Sequence, residues 1–191
     1  MAVTFPIRIK PRAFLVVLLA SMAAAVLVVL VMVFLGEYTK TRGRLLLTAV
    51  SLGGFSLLAL APSVLAHRGR YSGVAAGGML APILGFLLVA VGTWATPDSD
   101  AFWKAVAILA IAVASLSHFC WVLLLNPKWT LARVARCTAL GAVVAVLLLT
   151  SLAIIVEIRA AAFWWAVVLL IIAQVVGGLA ALVLNRRLFS E

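Results

Sequence analysis

Six continuous apolar runs divide the chain, at about 13–35, 45–65, 72–94, 101–125, 130–156 and 160–184. A stretch of roughly 20 apolar residues wound as an α-helix spans the hydrocarbon core of a bilayer. The pattern therefore predicts an all-α fold, a polytopic bundle of six transmembrane helices with short loops, as a single domain over 1–191. The polar residues fall between the runs: the first break is GEYTKTRGR, the second AHRGRYSG, the third ATPDSDAFWK.

The third run, Ser72 to Trp94, departs from a plain lipid-facing helix. It carries Gly73, Gly77, Gly78, Gly85 and Gly92, with Pro82 near its middle. Gly and Pro are the poorest helix formers in water. In lipid the backbone must bond to itself regardless, and glycine permits close helix approach. The Gly73-x-x-x-Gly77 spacing puts two glycines on one face for a neighbouring helix, and Pro82 leaves the Gly78 carbonyl without its usual donor, which predicts a bend. A static packing kink is the reading preferred over a functional hinge, because both residues are common in spanning helices. In the sixth run Gln174 precedes Gly177-Gly178, a second expected packing face, with the Gln174 amide spent on an interhelical hydrogen bond. Ser51, Ser56, Ser115, Thr138 and Thr150 are expected to bond across helices in the same way.

Composition supports the membrane assignment. Of 191 residues 67% are hydrophobic and 10% charged, and mean hydropathy is +1.31. A soluble domain is nearer half apolar and a quarter charged, so this chain is no water-soluble globule. The loops leave no room for a soluble catalytic domain. The formal charge is +10, from 15 Lys and Arg against 5 Asp and Glu. These bases are scattered beside apolar runs, where topology signals and lipid-headgroup contacts belong, so no nucleic-acid partner is expected. Cys120 and Cys137 lie inside runs and are expected to be buried apolar residues rather than a disulfide.

Arg8, Lys10 and Arg12 precede the first run, as in a signal peptide, but that run is longer than a cleaved apolar region. It is expected to be retained as a span. Counting bases on alternate sides puts Arg8, Lys10, Arg12, Arg68, Arg70, Lys128, Arg133, Arg136, Arg186 and Arg187 together, against Lys40, Arg42, Arg44, Lys104 and Arg159. The positive-inside rule then predicts both termini in the cytoplasm. Small size and short loops point to a bacterial inner membrane. Tyr38, Trp94, Trp103, Trp129, Trp164 and Trp165 fall at run ends, the headgroup depth that Trp and Tyr favour.

An internal duplication is the less favoured reading. Offsetting the chain by 91 residues pairs Tyr38 with Trp129, Thr39 with Thr130, Arg42 with Arg133 and Arg68 with Arg159. Three helices per half implies an inverted repeat, as in many secondary transporters. The offset gives few identities inside the runs, Pro82 has no counterpart in the sixth, and the basic loops do not change sides.

Chemistry is sparse. No carboxylate lies mid-run, which counts against a proton- or sodium-coupled carrier, and Glu157 is expected beside Arg159 at a run end. His118 lies about 25 Å along the fourth helix from Ala101. Asp98 and Asp100 are at the opposite membrane face, so Ser117 and His118 cannot complete a hydrolytic triad with them. His118 and Cys120 diverge by about 200° around a helix, His67 is in a loop, and two histidines make a poor metal set. No cofactor is expected; His118 is the candidate ligand if a haem or chlorin is held, and a hydrogen bond to a neighbouring helix is its ordinary role. Arg68, Arg70, Arg133 and Arg136 form a candidate contact for anionic headgroups or an acidic partner.

The expectation is therefore a non-catalytic membrane subunit packed against lipids and other membrane proteins, with Gly73, Gly77, Gly78, Pro82, Gln174, Gly177 and Gly178 as its packing residues. The alternatives are a small transporter or channel with the third helix as its moving element, then a cofactor-holding subunit using His118.

Overall fold

The computed structural model describes residues 11–35, 39–69, 71–125 and 130–187. They form six helices and no strand: α1 (Pro11–Leu35), α2 (Lys40–His67), α3 (Ser72–Ala95), α4 (Asp100–Leu124), α5 (Thr130–Val156) and α6 (Ala161–Arg187). Helices α2 to α6 are long and apolar enough to cross a membrane, α6 over Ala161–Val183, and α1 contains the shorter apolar stretch Leu15–Val31. The chain is an all-α, multi-pass membrane protein. Its helices follow from the solvent: hydrocarbon offers no partner for N–H or C=O, so each span bonds to itself even through Pro62 in α2 and Pro82 in α3.

Two ends differ from the apolar runs. α2 begins a turn early, because the Thr39 Oγ1 accepts the Arg42 N–H at 3.3 Å and caps the polar turn KTRGR. α6 carries Arg186 and Arg187 in its last turn rather than stopping before them, and bases there complement the helix dipole.

The chain gathers into two compact units, Met1–Val113 and Ala114–Glu191, and the boundary falls inside α4. In the first unit α1 packs on α2 and α2 on α3. Gly53 gives way to Ser21 on α1, Gly85 to Phe55 on α2, and Gly92 to Phe102 and Trp103 at the start of α4. α3 buries Ala75, Gly78, Met79, Pro82, Gly85 and Gly92; these positions recur at three- and four-residue steps and make one helix face. In the second unit α5 and α6 form an antiparallel hairpin. Its seam on α5 is Ala132, Ala139, Ala142, Val143, Val146, Thr150 and Ala153. Most of these are small residues, which lets helices approach where lipid gives no hydrophobic drive for them to associate.

The connections are tight. α5 ends with Glu157 in the left-handed region (φ 59°) and the Ile158 N–H bonded to the Ala153 carbonyl, a Schellman closure with Glu157 where glycine is usual. Thr96 closes α3 at φ 44°, its N–H on the Gly92 carbonyl.

Candidate functional site

The residues expected to pack helices separate into three groups. Gly78 and Pro82 lie on the buried face of α3. Gly73 and Gly77 lie on the opposite side, exposed, and a Cβ at either would meet nothing within 4 Å. The expected contact of that glycine pair with a neighbouring helix of this chain is absent. The reason is geometric: residues 73 and 77 stand roughly 200° from Ala75 around the helix, and Ala75, fully buried, sets the face that α2 covers. The glycines that do seat neighbours in this unit are Gly53, Gly85 and Gly92.

Gly177 and Gly178 form the third group. A Cβ at Gly177 would stand 3.2 Å from the Ala135 carbonyl oxygen and 3.3 Å from the Ala139 Cβ, so the α5–α6 seam closes there on backbone. A Cβ at Gly178 would stand 3.0 Å from Cζ3 of Trp121 and 3.8 Å from Nε2 of His118, both on α4. The adjacent glycines thus seat two helices at once.

His118 is half-buried beside this notch. Its ring faces the Gln174 main-chain carbonyl and tilts against Trp121, centroids 5.7 Å apart. Its Nε2 is buried without a hydrogen-bond partner, and so is Oε1 of Gln174. Gln174 therefore meets α4 with its backbone, and the amide oxygen is not spent on the interhelical bond expected of it. The other polar residues behave similarly. Ser51 donates to the Thr48 carbonyl, Thr138 to Val134 and Thr150 to Val146, each within its own helix. A hydroxyl finds a carbonyl three or four residues back more readily than a donor on another helix. Ser56 and Ser115 are buried.

The cross-helix bond of the first unit comes from elsewhere: Trp94 Nε1 on α3 donates to Thr48 Oγ1 on α2 at 3.2 Å. Thr48, which in turn donates to Arg44, carried no sequence signal beyond a hydroxyl near the end of an apolar run. Trp103 and Trp164 donate to the carbonyls of Pro97 and Ile158 at helix ends, as suits rings at headgroup depth. Tyr38 and Trp129 lie outside the described residues.

Cys120 is buried, whereas Cys137 is exposed on α5, contrary to expectation, and both are free. Among the described residues no three His, Cys, Asp or Glu stand together to hold a metal. Asp100 pairs with Lys104 at 2.9 Å, one turn along α4.

Of the four arginines expected to meet headgroups or a partner, Arg68 caps the C-terminus of α2 and is exposed. Arg70 lies outside the described residues. Arg133 is exposed; Arg136 is half-buried, with its Nε buried and unpartnered. In the first unit an apolar cavity of about 190 Å³ is lined by Val17, Leu52, Phe55, Ser56, Ala59, Pro82, Ile83 and Phe86. Neither Gln174 nor an α3 glycine borders it.

No known protein family matches the chain, and no curated protein or solved structure shows detectable similarity to it.

Proposed function

We propose that this protein is a non-catalytic membrane subunit that packs against other membrane proteins in a larger complex. The observation carrying the reading is the outward Gly73-x-x-x-Gly77 face. Glycine in a lipid-facing position contributes no side-chain packing, yet a glycine pair at this spacing lets another helix approach closely. The chain seats its own helices on Gly53, Gly85, Gly92, Gly177 and Gly178 and leaves this pair open. Between Leu15 and Val31, moreover, α1 buries Ser21 alone, so a second helix offers nearly its whole circumference to its surroundings.

The reading includes a bacterial inner membrane, with both termini on the cytoplasmic side as the distribution of bases directs. Extraction from the native membrane in mild detergent, a native gel and mass spectrometry of the band test it. A large band containing other membrane chains supports the proposal. A monomer or small homo-oligomer overturns it.

A further inference from the structure

We infer that the end of the α5–α6 hairpin formed by the start of α5 and the end of α6 binds the phosphodiester of an anionic phospholipid through Arg133 and Arg136. Arg136 comes first in the argument because it springs from the wrong face for a surface base. It lies four residues after Ala132 and three before Ala139, both fully buried, so it shares the helix face that meets α6. Its stem is covered and its Nε–H is buried with no acceptor. An unpaired buried donor on a charged group is costly, and the cost falls if an anion reaches the guanidinium.

Helical side chains lean toward the N-terminus. The Arg136 head is thereby carried toward the start of α5, where Arg133 stands exposed one turn earlier. The antiparallel α6 brings Arg186 and Arg187 to the same end. Nothing described in this unit balances that charge. Glu157, the unit's one described carboxylate, is at the far end of α5, about 31 Å from Arg136 along the helix axis.

The neighbouring surface selects a lipid over a soluble anion. Leu131 is 73% exposed and Val134 58%, on either side of Arg133. A ligand fitted to this surface presents an anionic head to the guanidinium groups and a hydrocarbon chain to the leucine and valine. Arginine is suited to the head because its planar fork can meet two phosphate oxygens at once.

This inference stands apart from the subunit proposal and is tested on the full chain alone. The protein is reconstituted in nanodiscs of phosphatidylcholine with or without phosphatidylglycerol, and lipid retained after transfer to detergent is counted by native mass spectrometry. Selective retention of phosphatidylglycerol is expected, with roughly tenfold weaker retention in Arg133→Gln/Arg136→Gln. Arg159→Gln removes a base at the other end of the hairpin and should change nothing. Arg133→Lys separates fork from charge on an exposed residue that folding does not need, and should show an intermediate loss. Equal retention of both lipids, or an equal loss in Arg159→Gln, overturns the inference. So does protection against heat by inorganic phosphate equal to that by phosphatidylglycerol, which would make the site one for soluble anions. Increased retention in Glu191→Gln would also overturn it, because the terminal carboxylate would then be occupying the arginines.

Discussion

The Phe55 ring covers Gly85 so closely that a Cβ there would stand 2.6 Å from its Cε1. The contact is the tightest made by any described glycine, yet it can yield, because Phe55 also lines the apolar cavity beside Pro82. Gly177 is held by atoms that cannot turn aside, the Ala135 carbonyl oxygen and the Ala139 Cβ. Both alanine substitutions gain the same helix propensity, so comparing them isolates the room available. Gly177→Ala is expected to be the less stable by about 1–2 kcal/mol, measured by thermal or denaturant unfolding in detergent. Equal stabilities would mean that the α5–α6 seam has slack its distances do not suggest.

Trp94 and Thr48 tie α3 to α2 through a single hydrogen bond. Interhelical bonds of this kind average about 0.6 kcal/mol by double-mutant cycle. A cycle of Thr48→Val and Trp94→Phe should return a coupling of about that size. A coupling near zero would leave Trp94 as an interfacial anchor alone.

Thr96 occupies the left-handed region with a β-branched side chain exposed to its surroundings. Such a conformation costs about 1–2 kcal/mol in a non-glycine residue. Thr96→Gly is expected to raise stability by about 0.5–1 kcal/mol, part of the relief being returned as added freedom of the unfolded chain. A lower unfolding temperature would show that Thr96 makes an interaction its exposure hides.

The orientation can be read with single cysteines in a Cys120→Ala/Cys137→Ser background. His67→Cys and Asp98→Cys lie at opposite ends of α3 on exposed positions. A membrane-impermeant maleimide applied to intact cells is expected to label Asp98→Cys and spare His67→Cys. The reverse pattern would invert the topology.

The spans were legible because hydrocarbon thickness sets a minimum apolar length, and the helices follow the runs closely. Which face each helix buries was not. In water a helix hides its apolar side, and the period of the pattern gives the face. Here lipid-facing and protein-facing positions are both apolar, so Gly73 and Gly78 look equally suited to packing, although one is open and the other buried. The hydroxyls were misjudged for a related reason: in lipid a serine or threonine must find an acceptor, and its own helix supplies one. The Gly177-Gly178 notch was visible as a glycine pair, but its partners Trp121, Ala135 and Ala139 were not, because nothing in the sequence says which helices meet. Arg136 appeared as one more interfacial base, and only its place between Ala132 and Ala139 marks it out.

The claim that the exposed glycine pair of α3 receives a partner helix is tested most directly by comparing the assembly state of wild type and Gly73→Leu/Gly77→Leu, expressed in the native membrane and extracted in mild detergent. Both positions have open space, so the variant should unfold at the wild-type temperature while leaving the large assembly on a native gel. A variant that folds normally and stays in the assembly would contradict the account, as would a wild-type chain that migrates alone.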